Sequence, residues 1–467
     1  MSGKSLLLRR VVKAGGFRSE TASVTRVTSN EGGAAEPDQV DAVSPTGESP
    51  GLKRLLGHPR VWLPPIVVVT LLMSLLAVLY LDSILDPRKN LHDFPIALVN
   101  QDEGEGQNNY GDQIAENLVA QIPSDKIAVR EVGIGSAESM LRKGEVYGAI
   151  IIPSDFSKIM SNLAIASGAN APGDITKPLI TVRTNPRAGP FATGIVTAFF
   201  DEAMTQVNAK VGEQLTAELQ KAVGPDGELP AVTKLTVSEP VNVHTVAFNP
   251  LPDGTGNGLS AFYYSLLLLL AGFTGAMIVS SLVDARLGFA PAEFGPWFMF
   301  NPSAHVSRFH TLLVKWGIMI VVGIVVSAIY VGISAFLDMP MSRAPALFAF
   351  GAYAIAAVGI TAVSVMAAFG TAGLLINLVI FIVLGVPSSG GTVPLEGQPP
   401  FFGWLANFEP LHQVFVGVRA ILYFDARYDS GLLHGFLMTT FGLGFGLVLG
   451  VIATRIYDRK GFKRGAI

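Results

Sequence analysis

Six apolar segments constrain the fold of this chain more than any other feature. They are residues 62–81, 258–283, 317–337, 345–369, 372–386 and 435–454. None of them contains Asp, Glu, Lys, Arg or His. A helix needs roughly 20 apolar residues to cross a bilayer, so the fifth segment, at about 15 residues, is marginal. The sequence therefore predicts an α-helical polytopic membrane protein with six transmembrane helices, in contact with the lipid bilayer.

The absence of ionisable side chains from these segments limits how the protein could do work. Pumps driven by a proton or ion gradient usually carry carboxylates or histidines at membrane depth as relays. We therefore expect any transport to draw its energy from a partner. Half of the residues are hydrophobic and 15% are charged, compared with roughly 25% charged residues in soluble domains. The chain has no cysteine, which excludes disulfides, thiolate metal sites and cysteine nucleophiles.

The distribution of charge predicts the topology. The first 60 residues hold nine Lys or Arg, and more basic residues follow the second and sixth segments. These are Arg286, Arg308 and Lys315 in the loop, and Arg455, Arg459, Lys460, Lys463 and Arg464 in the tail. Residues 82–257 instead carry 22 acidic and 13 basic residues. The positive-inside rule then places both termini in the cytoplasm of a plasma (inner) membrane protein and residues 82–257 outside.

Five regions follow from this pattern. Residues 1–51 form a cytoplasmic arm with too little apolar content to fold. Residues 52–81 hold a short amphipathic stretch suited to the lipid interface, followed by the first transmembrane helix. An extracytoplasmic domain occupies residues 82–257, a membrane domain of five helices residues 258–455, and a basic cytoplasmic tail residues 456–467.

The extracytoplasmic segment predicts a mixed α/β domain with a long helix. Strand-like runs at 95–99, 127–132, 146–152 and 179–183 alternate with helical periodicity, a long helix should span 190–223, and an extended segment should cover 232–248. The long helix carries an apolar stripe. We expect the stripe to pack on its own domain, and a coiled-coil or dimer seam is the alternative.

Two groups of motifs resemble known proteins. They are residues 96–104, 137–144 and 147–157 in the outer segment, and residues 385–394, 408–412 and 418–420 near the carboxyl end. Together they resemble the phage infection protein (YhgE/Pip) family, which is grouped with the type-2 ABC exporter permeases. The order of one span, a large outer domain and five further spans also resembles that family. The resemblance covers about residues 60–460 and implies a permease fold.

The second motif contains the candidate pathway residues. They are Pro387, Ser388, Ser389, Gly390, Gly391 and Pro394, together with Glu409 and Arg419. Broken backbone at membrane depth is tolerated only where protein or a water-filled cavity satisfies its polar groups. The motif is thus either a re-entrant element whose serines line a pathway or a tight extracellular turn between the last two helices. We expect Glu409 and Arg419 to pair and brace a short outer helix.

The loop at residues 284–310 is the candidate ATPase-coupling segment. Its marker residues are Asp284, Arg286, Phe294 and Trp297. The resemblance implies that a coupling helix in this loop docks into a nucleotide-binding subunit. The alternative is that its aromatic residues form an interfacial belt. Because no phosphate-binding loop lies between a strand and a helix, an ATP-binding subunit would act in trans.

Other functional classes find little support in the sequence. The seven histidines are scattered, and we predict no catalytic residue, no metal site, no cofactor and no nucleic-acid partner. The acidic loop around Asp102 lacks the ligand spacing of a calcium loop, so we interpret it as a solvated turn. Ser154 is predicted to cap a helix.

These observations give one main hypothesis and one alternative. The chain is predicted to be the permease-like subunit of a type-2 ABC exporter, acting as a homodimer or heterodimer. It would move an amphipathic, lipid-like or toxic compound outward. The alternative is a non-transporting envelope scaffold or receptor that binds a phage or another protein through its outer domain.

Overall fold

A computed structural model describes residues 59–106, 108–169, 176–223 and 229–462. The predicted cytoplasmic arm, the amphipathic stretch at 52–56 and residues 463–467 of the tail lie outside these described residues. The described residues from Ile66 onward form one compact unit.

Thirteen α-helices and seven strands are described in these four ranges. The helices are α1 Pro59–Ile84, α2 Tyr110–Gln121, α3 Ile134–Lys143, α4 Phe156–Ala169, α5 Pro190–Val223, α6 Ala231–Ser238, α7 Leu259–Arg286, α8 Arg308–Phe336, α9 Ala344–Phe369, α10 Ala372–Leu378, α11 Pro400–Ala406, α12 Pro410–Tyr423 and α13 Leu432–Arg459. The strands are β1 Phe94–Asn100, β2 Ile127–Glu131, β3 Gly148–Ile152, β4 Leu179–Thr184, β5 Asn242–Ala247, β6 Ala292–Phe294 and β7 Trp297–Met299.

Five of the described helices are long and apolar enough to cross a membrane. They are α1, α7, α8, α9 and α13. The remaining predicted helix is the fifth apolar segment, at residues 372–386, and it is shorter. α10 continues through a π-helical turn at Val379–Val383 and stops there. At 1.5 Å per residue this helix is roughly 18 Å long, compared with a hydrocarbon core of about 30 Å. Six continuous spanning helices are therefore not found among the described residues.

The early end of this helix follows from Pro387. A proline clashes with the carbonyl four residues before it and has no N–H to donate to that carbonyl. The carbonyl in question belongs to Val383, which is the last residue of the π-helical turn. The apolar run in the sequence continues to Val386, so hydrophobicity alone overestimates the length of the helix.

The α/β domain is built on a five-stranded mixed sheet in the order β2-β1-β3-β4-β5. β1 pairs in parallel with β2 and β3, β3 pairs antiparallel with β4, and β4 pairs in parallel with β5. Side chains of β1 alternate between the two faces. Ile96 and Leu98 join the core under α2, α4, α5 and α6, whereas Ala97 and Val99 pack against α3. Because both faces are covered, the inner strands read as continuous apolar runs.

The structure confirms the four predicted strands and the long helix, and it corrects the end of the domain. The stripe on α5, including Ile195, Val211 and Leu215, lies in the core of its own domain, which supports the first interpretation of that stripe. The segment predicted as extended at 232–248 begins instead with α6 at Ala231–Ser238. Its apolar residue Val237 is fully buried, because helical spacing turns it into the same core.

The long helices α7, α8, α9 and α13 form a bundle with α9 at its centre. Small residues allow close approach of the helices: a Cβ on Gly272 of α7 would meet the side chain of Val358 on α9. A Cβ on Gly323 of α8 would likewise meet the carbonyl of Ala352 on α9. Small residues that let backbones approach are characteristic of helix packing in lipid.

Asp102 anchors the acidic loop after β1 through hydrogen bonds. Its carboxylate accepts hydrogen bonds from the amides of Gly111 (2.9 Å) and Ser157 (2.9 Å) and from the Ser157 hydroxyl. These amides lie in the first turns of α2 and α4, so one side chain satisfies donors at two helix N-termini. No bond from the predicted cap Ser154 to these amides is found in the described chain. Asp102 thus joins the two helices. The described residues contain no group of three or more His, Cys, Asp or Glu side chains that could hold a metal ion.

We expect Asp102→Ala to destabilise the α/β domain by about 2 to 3 kcal/mol, since each lost cap costs about 0.5 to 2 kcal/mol. The apparent melting temperature of the detergent-purified full chain should fall by several degrees. The matched control is Glu103→Ala, which removes an exposed neighbouring carboxylate and should leave the melting temperature unchanged. Equal melting temperatures for the two variants would show that Asp102 does not join the helices.

Candidate functional site

The segment that follows α10 contains the predicted pathway motif, and its serine hydroxyls bond to nearby backbone. Ser388 and Ser389 are fully buried. The Ser388 hydroxyl donates to the carbonyl of Leu384 (2.6 Å), and the Ser389 hydroxyl donates to that of Val386 (2.7 Å). The amide of Gly391 donates to Ser389 Oγ at 3.2 Å. Both hydroxyls therefore bond to backbone carbonyls at the break in the helix.

The glycines of the motif are needed for packing and for backbone conformation. Gly390 has φ +68°, a conformation that costs other residues more than glycine. A Cβ on Gly391 would collide with the ring of Phe262 on α7. Pro394 then precedes a short 3₁₀ turn at Leu395–Gly397. The motif is a tight, buried turn held against the start of α7.

Glu409 and His412 connect this turn to α12. Glu409 Oε2 accepts the amide of His412 at 2.9 Å and so caps α12, while His412 Nδ1 donates to the carbonyl of Ser389 at 2.8 Å. Glu409 is only 3% exposed. Burial raises the pKa of Glu409 to about 8, against the opposing effect of hydrogen bonds from the backbone. Burial also lowers the pKa of His412 to about 4. Both side chains are therefore largely neutral near pH 7.

The predicted pairing of Glu409 with Arg419 is wrong. No ion pair joins them in the part of the chain that the structure describes, because ten residues of helix separate the cap of α12 from Arg419, a rise of roughly 15 Å. The Arg419 guanidinium lies instead over the rings of Phe415 (5.4 Å) and Phe424 (5.9 Å). Its charge interacts with Tyr147 and Glu396.

Tyr147 and Glu396 join the α/β domain to the segment that carries the motif. The Tyr147 hydroxyl donates to Glu396 Oε2 at 2.8 Å, and the His92 amide donates to the Glu396 carbonyl at 2.8 Å. The Tyr147 ring stacks on Phe94 with centroids 4.5 Å apart. Burial, reinforced by the negative charge of Glu396, raises the pKa of Tyr147 well above its usual value. Tyr147 therefore stays a hydrogen-bond donor at any physiological pH.

Further contacts attach the same domain to the carboxyl end of α12. Arg187 Nη1 donates to the carbonyl of Tyr423 at 2.5 Å. Lys143 lies 3.8 Å from Asp429, and a Cβ on Gly144 would touch the ring of Phe424. The α/β domain thus contacts both the beginning and the end of the segment between α10 and α13. This junction is the candidate functional site.

The predicted coupling segment lies at the other end of α7. α7 has 28 residues and extends about 42 Å from the α/β domain. Asp284 pairs with the buried Lys315 at 2.8 Å, and Arg286 ends the helix. The segment then forms the β6–β7 hairpin, of which Phe294 and Trp297 are strand residues, in place of the expected coupling helix.

The hairpin presents aromatic side chains to its surroundings. Trp297 is 71% exposed, and Phe298 and Phe300 are also exposed. A run of exposed aromatic residues of this kind usually marks a membrane or protein contact. The loop therefore exposes aromatic residues on a hairpin, where the sequence predicted a coupling helix.

Sequence reasoning did not identify several residues of the site. Tyr147 lies inside a recognised motif, but nothing in the sequence connects it with Glu396, which is 249 residues away. Asn377 and Gln413 are also buried, and neither carries a charge that would distinguish it within an apolar segment. An amide inside an apolar segment is a signal that could have identified Asn377.

Five long apolar helices with an α/β domain inserted after the first indicate a multi-pass membrane protein. The chain belongs to the family described as "Protein of unknown function (DUF3533)", whose model matches residues 65–441, more than half of its length. No curated protein and no solved structure matches it.

Glu409→Gln should remove a pH dependence of stability. A carboxyl whose pKa is raised on folding binds a proton that the unfolded chain releases near pH 4.5. Its contribution to stability therefore falls as pH rises from about 4.5 to 8. His412, with its lowered pKa, acts in the opposite direction, but only below about pH 6.5. Between pH 6.5 and 8, Glu409 therefore contributes more than His412 to the pH dependence of stability.

The measurement is the apparent melting temperature of the purified full chain across that range. The wild type should lose stability relative to Glu409→Gln as pH rises, by at most about 1.4 kcal/mol per pH unit. The glutamine retains an oxygen that can accept the His412 amide. Parallel pH profiles of the wild type and the variant would exclude a buried, protonated Glu409.

Proposed function

We propose that this protein is the permease-like subunit of a type-2 ABC exporter, related to the phage infection protein (YhgE/Pip) family. It moves an amphipathic, lipid-like or toxic compound outward across the plasma (inner) membrane. An ATP-binding subunit acts in trans, and the permease works as a homodimer or heterodimer. The resemblance of two separate groups of motifs supports the family. The hydrogen bond from Tyr147, in the first group, to Glu396, two residues after the Pro394 of the second, supports a link between the outer domain and the membrane helices.

The proposed topology has six crossings and both termini in the cytoplasm. The fifth crossing is made by α10 together with the broken segment that follows it, because α10 alone is too short. Internal hydrogen bonds from Ser388, Ser389 and His412 satisfy that segment, which is the condition for irregular backbone at membrane depth. The excess of Lys and Arg at both ends of the chain supports the orientation.

One observation carries the proposal: the two candidate interaction regions lie at opposite ends of α7. The α/β domain lies against the start of this helix, where a Cβ on Gly258 would touch the carbonyl of Pro186 at 3.5 Å. The aromatic hairpin lies beyond the other end, about 42 Å away. This separation exceeds the hydrocarbon thickness of about 30 Å. An outer domain and a cytoplasmic docking surface fit such an arrangement.

The hairpin supplies the test of ATPase coupling. Trp297→Ala combined with Phe298→Ala should lower the ATP hydrolysis that co-purifies with the chain by at least about tenfold, or about 1.4 kcal/mol of binding. ATP-dependent efflux of a fluorescent amphipath from cells should fall with it. The matched control combines Phe336→Ala with Leu337→Ala, two exposed apolar residues at the opposite end of α8.

Two outcomes would contradict the exporter. The first is a wild-type chain that carries no ATP-hydrolysing activity in any preparation, which would favour the envelope scaffold or receptor. The second is uphill transport by the pure chain alone in sealed vesicles, since this proposal assigns it no internal energy source.

Single cysteines test the orientation, because the native chain has none. Tyr428→Cys and Leu235→Cys replace exposed residues on the proposed outer side and should react with a membrane-impermeant maleimide in intact cells. Trp297→Cys and Thr371→Cys should react only after permeabilisation. The reverse labelling pattern would contradict the topology.

A further inference from the structure

The membrane bundle contains a cavity with no role in the proposed docking of an ATPase. It lies between α9, α10, α12 and α13 and has a volume of about 220 Å³. Its walls are mostly apolar, with contributions from Val365, Phe381, Val414 and Phe445. At its rim Phe441 and Phe445 are exposed on the outer face of α13, so the cavity opens sideways.

Three buried polar side chains are among the residues that line this cavity, and each has one oxygen without a hydrogen-bond partner. Asn377 is 0% exposed, Gln413 2% and Thr439 8%. Asn377 Oδ1, Gln413 Oε1 and Thr439 Oγ1 have no hydrogen-bond partner among the described residues. An unsatisfied buried polar group costs roughly 1 to 3 kcal/mol, so three on one cavity indicate a missing partner.

The amide nitrogens fix which atoms are available to a ligand. Asn377 Nδ2 donates to the carbonyl of Ala362 at 2.9 Å. Gln413 Nε2 donates to the carbonyls of Ala406 (2.8 Å) and Asn407 (3.3 Å). Both amides are thereby oriented with their oxygens free, and an amide oxygen can only accept. A complementary ligand must present donors.

The charge of the lining residues further restricts the headgroups that the cavity can bind. None of the described residues that line the cavity is Asp, Glu, Lys, Arg or His. A carboxylate or phosphate would face the acceptor oxygens, and an ammonium would be buried without a counter-ion, which is costly. Neutral hydroxyl groups meet both conditions. The apolar walls and the lateral opening then suit an acyl chain that extends into lipid.

We propose that this cavity binds a single-chain, uncharged lipid through a hydroxyl-bearing headgroup, as in a monoacylglycerol. The headgroup donates to Asn377 Oδ1 and Gln413 Oε1 and exchanges a hydrogen bond with Thr439, and the acyl chain leaves past Phe441 and Phe445. The assignment of this lipid class as the exported cargo rests on the proposed function, whereas binding itself needs no ATPase.

Equilibrium binding of tritiated 1-oleoylglycerol to the detergent-purified full chain tests the site. We expect saturable binding to one site per chain. Unlabelled 1-oleoylglycerol should compete at least tenfold better than oleate or oleylamine, which have the same chain length and a charged headgroup. Competition by all three at equal concentrations would overturn the headgroup assignment. An absence of saturable binding would mean that water alone satisfies the three oxygens and would overturn the site.

Two glycines of α13 give a matched pair of variants. Gly442 lines the cavity and Gly444 does not, and a Cβ at either position would meet no atom within 4 Å. Gly442→Leu should fill the cavity and abolish binding, whereas Gly444→Leu should bind as the wild type does. Unchanged binding by Gly442→Leu would place the lipid elsewhere.

Thr439→Val separates the headgroup contact from folding. It removes one unpartnered hydroxyl at nearly constant volume, so we expect binding to weaken about five- to tenfold while the melting temperature stays equal or rises. Unweakened binding would contradict the role of Thr439. Saturable binding by a chain that shows no ATP-dependent efflux would retain the site and reject the exporter. ATP-dependent efflux without saturable binding would reject the site and retain the exporter.

Discussion

The break in the backbone after α10 is the constraint on which the rest of the structure depends. Pro387 ends the helix at Val383 inside buried surroundings, where freed carbonyls and amides cannot rely on water. The hydroxyls of Ser388 and Ser389 bond to the carbonyls of Leu384 and Val386, which also accept backbone amides, and His412 bonds to the carbonyl of Ser389. The imidazole does this from α12, so α12 must lie against the turn. The hydrogen bond from His412 to Ser389 therefore helps to hold α12 against the turn.

The placement of α12 links two regions that the sequence separates. Near its start, Gln413 and Val414 line the cavity in the bundle. Near its end, Arg419 interacts with Tyr147 and Glu396, and Tyr423 accepts a bond from Arg187. A helix of 14 residues is about 21 Å long and behaves as a stiff unit over that length. A rigid displacement of the α/β domain would therefore also move one wall of the cavity.

Patterns that depend on neighbouring residues could be predicted, and those that depend on distant contacts could not. Period-two and helical spacing located β1 to β4 and α5, because their apolar residues face a core within the same domain. Hydropathy placed five long helices but extended the fifth segment past the point where Pro387 stops the helix. Proximity of Glu409 to Arg419 in sequence suggested an ion pair. The helix between them keeps the two apart. The Arg419 guanidinium lies over Phe415 and Phe424 of its own segment, and only its charge interactions with Tyr147 and Glu396 involve residues far away along the chain.

The strength of the individual contacts explains what orients the α/β domain on the bundle. The ion pair between Lys143 and Asp429 is 3.8 Å long and its side chains are 31% and 43% exposed, so it contributes at most about 1 kcal/mol. The hydrogen bond from Tyr147 to Glu396 is short, shielded and made to a carboxylate, and such bonds contribute about 1.5 to 3 kcal/mol. Stacking of Tyr147 on Phe94 adds roughly 0.5 to 1.5 kcal/mol. Salt screens the first contact far more than the other two. The contacts around Tyr147 therefore orient the domain more strongly than the Lys143–Asp429 ion pair does, and they should depend little on ionic strength.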